Sequence, residues 1–291
     1  SKVLVVAHLF GTRLNMQPIV DFAQRHKLLL VEDCAQAFSG RAYSGHSDAN
    51  LAMFSFGPLK TAPALGGALV IVKDPELCAK MRHIQQTYPV QTKLNHFKRV
   101  LQFSALKFIT SRHIMNLIYK FFSRRGHDYE DALSNNVRNV APLGKSKQQR
   151  YQPSVVMLSL MERRLKSFAE NSLQIRANMG QRLRDMLEGA VVLPGQACEY
   201  HDYWVFPILV DDPAQFIQRL RQNGFDGANL PRSQTVAPPE YAKHLFPELA
   251  EQMLSSLIIV PCYPGMPDKE ILREAELLKK IANEVGTSRT K

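Results

Sequence analysis

Tryptophan occurs once in these 291 residues, at Trp204, and cysteine only four times. Cys34, Cys78, Cys198 and Cys262 form no Cys-x-x-Cys pair and stand in mostly apolar text. Such spacing excludes a thiolate metal knuckle and a disulfide-stapled scaffold, and the four read as reduced core thiols of a cytoplasmic protein. No metal is expected. There is no run of about 20 uncharged apolar residues, so no spanning helix is expected. The opening SKVLVVAHLFG is apolar but too short for a secretory leader and lacks a cleavage site; it reads as a buried strand. Repeats and low-complexity tracts are also lacking.

Acid is missing from one long stretch. No Asp or Glu occurs between Lys93 and Arg125, and from Lys93 to Arg150 twelve Lys and Arg face three acids. That segment holds nine of the chain's eleven net positive charges, so the pI near 9.6 belongs to it and the remainder is close to neutral. Apolar clusters at helical spacing punctuate it: Phe97, Val100, Leu101, Phe103 and Leu106, then Ile114, Leu117, Ile118, Phe121 and Phe122. Two readings stand for residues 93–125. One is an amphipathic surface that docks on an anionic membrane. The other is an insertion covering an active site or a subunit interface. No recognition motif accompanies the charge, so no nucleic-acid partner is expected.

What is present is α/β text. VLVVA at 3–7, a helix to about His26 and LLLV at 28–31 make a strand–helix–strand unit with short linkers. Both strands are continuously apolar, which suits a parallel sheet covered on both faces. Ligands gather at the carboxyl ends of such strands, where His8 and Asp33 stand. Phe54-Ser55-Phe56 and Ala68–Val72 are further strands, and Asp74-Pro-Glu opens a helix. Residues 128–150 read as polar loop. One long helical pattern runs from about Gln152 to Glu188, with Val155, Val156, Leu158 and Leu160 on its apolar side, and Gly189 stops it. A smaller α+β unit follows: a strand over 203–210, a helix over 213–223 capped by Asp212, an element over 247–257 and a last helix near 268–285. The organisation expected is a partial large domain over 1–87, a basic insertion over 88–150, and the long helix with a small domain over 151–291.

The chemistry concentrates early. LLLVEDCAQ at 28–36 delivers Asp33 to a strand end with Gln36 shortly after; FSFGPLK at 54–60 places Ser55 five residues before Lys60, ahead of Gly66-Gly67. A carboxylate that keeps a pyridinium protonated, a hydroxyl for a phosphate and an amine for a carbonyl suit one cofactor, pyridoxal 5'-phosphate. Glu32 competes with Asp33 for the first role. Cys34 reads as a small buried side chain and Asp48 as a turn residue.

The ordered set EDCAQA, Ser47-Asp48, FSFGPLK and GGA, with HLFG at 8–11 and QIRANMGQRLRDML at 174–187, resembles the DegT/StrS family of sugar aminotransferases. The resemblance runs over most of the chain except roughly 88–150. It implies the type I pyridoxal-phosphate transferase fold: part of the large-domain sheet, then a smaller C-terminal α+β domain. It implies Lys60 as the Schiff-base lysine, Asp33 at the ring nitrogen, Gln36 beside the ring oxygen and Ser55 on the phosphate. It further implies transfer of an amino group, with glutamate the expected donor, to a keto sugar carried on a nucleotide, by a homodimer. A subgroup that dehydrates its substrate has histidine in place of the lysine; Lys60 argues for transamination.

Two positions depart from the pattern. Leu59 stands where relatives have Ser or Thr, and Thr61-Ala62-Pro63-Ala64-Leu65 lacks the usual acid. Relatives also carry a stretch with a phosphate loop and a ring-stacking aromatic ahead of the point where this chain begins, so a fragment is expected. Two alternatives follow: a non-catalytic interaction protein with an aminotransferase-like body, or a pyridoxal-phosphate enzyme acting on a non-sugar substrate.

Overall fold

A computed structural model describes residues 1–109, 111, 114, 150–230 and 233–286. Along the chain run β1 (Val3–Ala7), β2 (Thr12–Arg13), α1 (Gln17–Arg25), β3 (Leu29–Asp33), β4 (Leu51–Ser55), β5 (Ala68–Val72), α2 (Pro75–Gln86) and α3 (Lys93–Ile109). Then come α4 (Val155–Lys166), α5 (Asn171–Leu187), β6 (Tyr200–His201), β7 (Phe206–Leu209), α6 (Pro213–Gln222) and β8 (Ala228–Asn229). A 3-10 segment (Glu240–Leu245), α7 (Glu248–Ser255), β9 (Leu257–Val260) and α8 (Asp268–Val285) complete the described elements. The mixed α/β class read from the sequence is the class observed. The expected cluster beyond Ile114 and most of the 128–150 loop lie outside the described residues. The described residues fall into two compact units, one drawn from Ser1–Phe54 and Ala169–Lys291, the other from Ser55–Phe168.

In the first unit, β1 pairs in parallel with β3 and β3 with β4, in the registers Ala7↔Asp33 and Asp33↔Met53. A parallel pair needs a crossover; here α1 supplies it. Its Val20 and Ala23 bury against Leu30, Met16 and Ala49. The expectation that both strands are covered on both faces holds for β3 better than for β1. Val3 and Val5 of β1 are 46% and 61% exposed, because α1 covers only the alternate face.

The same unit holds the C-terminal α+β body. Strands β7, β9 and β8 lie side by side, antiparallel, with β9 in the middle. Phe206, Ile208, Ile258 and Val260 from the strands meet Phe216 and Leu220 of α6 and Leu278 and Ile281 of α8 in one core. The side chain of Asp212 caps α6 by accepting from the Gln215 amide at 3.0 Å, as its position before Pro213 foretold. The strand expected over 203–210 is shorter. Tyr203 has φ +51°, outside the extended region, so regular pairing starts at Phe206.

The single helix expected over 152–188 is two. Helix α4 stops at Lys166, where the Ser167 hydroxyl and amide both bond back to the Arg163 carbonyl, and α5 starts at Asn171. The apolar side assigned to α4 is also corrected: Val155, Val156 and Leu158 are 72%, 44% and 42% exposed, and Met157 is the residue buried.

In the second unit the Asp74 carboxylate accepts from the Glu76 amide at 2.8 Å to cap α2. Helix α3 packs on α4, with His96 fully buried.

Candidate active site

Every backbone group at the end of β3 is directed by its neighbours. The Asp33 carbonyl accepts from the His8 amide at 3.0 Å and the Cys34 amide donates to Met53 at 2.8 Å, so the chain leaves the sheet in a fixed direction. The Asp33 carboxylate then accepts through Oδ1 from the Ala35 amide at 2.9 Å, and the group is half-buried. That bond orients the carboxylate and leaves Oδ2 for a donor such as a protonated ring nitrogen. Gln36 receives the Phe10 amide on Oε1 at 2.8 Å, which leaves its NH2 as the group it can offer an oxygen.

Glu32, one residue earlier, points to the opposite face and is fully buried. It is the hub of a polar cluster. Tyr43 Oη donates to it at 2.5 Å, the His46 amide at 2.8 Å, and His8 Nε2 faces it at 3.4 Å. His8 Nδ1 accepts from the Leu14 amide at 3.2 Å, so Nε2 is the nitrogen with a proton to give. Burial alone would raise the Glu32 pKa. The hydrogen bonds from His8, the His46 amide and Tyr43 outweigh it and hold the carboxyl below its ordinary range. Partial burial first, and then Glu32, push the half-buried Tyr43 phenol well above the ordinary value. His8 therefore binds the strand end together through Glu32.

His8, Glu32 and Cys34 place ligand atoms within 4.8 Å of one another, a spacing a metal could bridge. The chemistry of the set speaks against it. The Glu32 oxygens already take three donors, and burial first, then Glu32 and Asp33, drive the Cys34 thiol far up and keep it protonated.

Next to this cluster the Arg13 guanidinium lies between two aromatic rings, 4.6 Å from the Tyr43 centroid and 3.9 Å from that of Tyr200. The short ladder of β2 with β6 brings Tyr200 there. Neither Arg13 nor Tyr43 carries a sequence signal, since both act through partners distant along the chain.

Ser55 closes β4, and with Lys60 it belongs to the second unit. Between them the backbone folds into a tight loop. The Lys60 amide donates to Gly57 at 3.2 Å, and the Phe56 carbonyl accepts from both Ala64 and Gly66, at 2.9 and 3.0 Å. A Cβ placed on Gly57 would lie 3.7 Å from Lys60 Cγ and 4.0 Å from Ser55 Oγ. The hydroxyl and the lysine stem thus border one space above a residue with no side chain. Both are half-buried, whereas Leu59 is 80% exposed.

The loop ends on Leu65 (φ +62°), Gly66 and Gly67 (φ +82°). A side chain on Gly67 would meet Met157 Cε at 3.2 Å, and one on Gly66 would meet Arg99 Nη1 at 2.9 Å. Arg99 donates from Nη1 to the Leu65 carbonyl at 3.0 Å. The basic helix α3 is thereby fastened to the lysine loop.

The residues read as cofactor ligands offer an oriented carboxylate and a carboxamide in the first unit, and a strand-end hydroxyl and a lysine in the second, the chemistry that pyridoxal phosphate calls for. In the first unit the structure brings Asp33 and Gln36 into one strand-end turn. In the second it brings Ser55 and Lys60 around Gly57.

Residues 1–103 match the family described as DegT/DnrJ/EryC1/StrS aminotransferase. The chain is similar to GDP-perosamine synthase of Caulobacter vibrioides, 38% identical over 85 residues, 28% of this chain and 23% of that protein. It is also similar to the dTDP-3-amino-3,4,6-trideoxy-alpha-D-glucose transaminase of Streptomyces venezuelae, 35% identical over 100 residues, 33% of this chain and 26% of that one. These alignments span about a quarter of each curated relative. The crystal structure of NtdA from Bacillus subtilis with bound cofactor PMP superposes with a TM-score of 0.59 at 20% identity, covering 97% of this chain and 57% of that one. Residues 1–103, which contain Asp33, Gln36, Ser55 and Lys60, match the DegT/DnrJ/EryC1/StrS aminotransferase family, and the chain shares its fold with solved aminotransferases.

Proposed function

We propose that this chain carries the cofactor-holding residues of a pyridoxal-phosphate aminotransferase that moves an amino group from glutamate to a keto sugar on a nucleotide, acting as a homodimer. One observation carries the reading: the four residues read as cofactor ligands all fall within the stretch that matches the aminotransferase family. The relatives named as aminosugar enzymes support the sugar.

When bound, the cofactor supplies a carbonyl and an electron-accepting ring. Asp33, held by the Ala35 amide, would keep its ionised oxygen toward the ring nitrogen. Gln36 would donate its NH2 to the ring oxygen and Ser55 its hydroxyl to the phosphate. Lys60 Nζ would engage the carbonyl and, once displaced, move a proton in each half-reaction, taking one from the donor's carbon in the first and giving one to the acceptor's carbon in the second. To act as nucleophile or base, Lys60 must first give up its own proton.

Purified protein is loaded with pyridoxal phosphate, reduced with borohydride and mapped by peptide mass. A pyridoxyl label on Lys60, absent from Lys60→Ala, is the expected outcome. Transfer of nitrogen from labelled glutamate to a nucleotide-linked keto sugar then tests the substrate pair. A label elsewhere, or none, overturns the reading and favours a non-catalytic body. A label without sugar turnover favours a non-sugar substrate.

A further inference from the structure

Helix α3 carries two apolar stripes, and packing accounts for one of them. His96 is fully buried, and Val100, Phe103 and Leu106 are half-buried, on the side that meets α4. The other stripe runs through Leu94, Phe97, Leu101 and Phe108, at intervals of three, four and seven residues, so one helix face presents all four. They are 60%, 56%, 54% and 70% exposed. A helix that only needed to pack on α4 would carry polar residues there. Large contiguous apolar surface on a soluble chain marks a contact site.

The charge flanking this stripe selects the partner. Lys93, four residues before Phe97, and Lys98, four after Leu94, are exposed along the two edges of the stripe; the helix has no acid, and no acid occurs anywhere from Lys93 to Arg125. An apolar protein partner would gain nothing from a rim of one sign, whereas a surface of fixed negative charge over hydrocarbon meets both features at once. No described helix is long and apolar enough to cross a membrane, so the contact would lie along the interface.

We propose that α3 docks on an anionic lipid bilayer, with Leu94, Phe97, Leu101 and Phe108 entering the headgroup boundary and the lysines pairing with acidic lipids. Arg99 keeps its bond to the Leu65 carbonyl in the lysine loop, so the helix that meets the lipid is also the helix that braces that loop. The inference stands independently of which reaction the lysine performs.

Flotation of the whole protein with phosphatidylcholine vesicles, and with vesicles containing phosphatidylglycerol, tests it. Recovery with the acidic vesicles alone, weakened by salt, is expected. Lys98→Gln and Lys93→Gln should each lower partitioning about fivefold, roughly the worth of one basic residue at such a surface. Phe97→Ser with Leu101→Ser should abolish it. All four side chains are exposed, so circular dichroism should show unchanged folding. Equal recovery with neutral and acidic vesicles, or none with either, overturns the proposal. So does a double-serine variant that still floats. If the double variant instead converts a dimer to a monomer with no vesicle binding in the parent, the stripe belongs to a second copy of the chain and the proposal fails.

Discussion

Arg99 Nη1 lies 3.0 Å from the carbonyl oxygen of Leu65, five residues beyond Lys60. Leu65 has φ +62°, a conformation that costs a side-chain-bearing residue about 1 kcal/mol or more. The bond helps hold that strained turn. Arg99→Ala should remove about 1–2 kcal/mol of local stability. It should raise the rate of proteolytic cutting within residues 57–67 severalfold, and slow pyridoxyl labelling of Lys60 without changing its position. Leu65→Gly in the same background should recover part of the loss by relieving the φ strain.

Glu32→Gln tests the polar hub at the end of β3. The amide removes the buried charge that Tyr43, His46 and His8 all address, and it turns an NH2 toward donors. A loss of roughly 2–4 kcal/mol is expected from urea unfolding at neutral pH. The ordinary range for an exposed Glu→Gln change is within about 0.5 kcal/mol, and a result in that range would show that the hub contributes little.

Gly180→Ala should reverse a familiar rule. Alanine in a helix interior normally gains about 1 kcal/mol over glycine. In α5 a Cβ at position 180 would fall 2.1 Å from Tyr203 Cγ and 2.7 Å from its Cβ. Tyr203 is pinned by a ring stack on His201 at 3.8 Å and on Phe206 at 5.5 Å. The substitution should cost about 2–3 kcal/mol in chemical denaturation. Pairing it with Tyr203→Ala should cost less than the sum of the two single changes.

One buried acid should cost stability as pH rises from about 5 to about 8. Glu274 is fully buried in α8 with neither oxygen hydrogen-bonded, and burial pushes its pKa up to about 8 from an ordinary 4.5. Between those values the unfolded chain has released the proton and the folded chain keeps it, so the slope is negative. Removing the slope by Glu274→Gln should gain on the order of 4 kcal/mol at pH 8 and little at pH 4. Cys262, itself raised to about 12 by burial and by Glu274, stays protonated throughout. His201, lowered to about 4 by burial and by Arg184 and Arg176, adds a second loss as pH drops below about 6.5. Thermal melts of Glu274→Gln and the parent across pH 4–8 check both arms.

The elements that rest on local chemistry were legible from residues alone. Apolar strands, a cap at Asp74 or Asp212 and the strand-end position of Asp33 depend on near neighbours, and the structure places them as read. The division of 152–188 into two helices was not legible. Ser167-Phe168-Ala169-Glu170 contains no Gly or Pro, and the stop comes from a serine folding back on Arg163. Glu32 looked like a rival for the Asp33 role; its partners stand 24, 14 and 11 residues away at His8, His46 and Tyr43, beyond any spacing rule. Lys60 and its glycine pair could be read as a motif. The arginine that braces Leu65, 34 residues further on, could not.

One acceptor atom closes the lysine loop on itself: the Phe56 oxygen gathers the amides of Ala64 and Gly66. Because those clasps are made by main chain, they are indifferent to which side chains occupy positions 61 and 63. Such a buckle holds the path of the main chain beside Lys60 whatever side chains flank it.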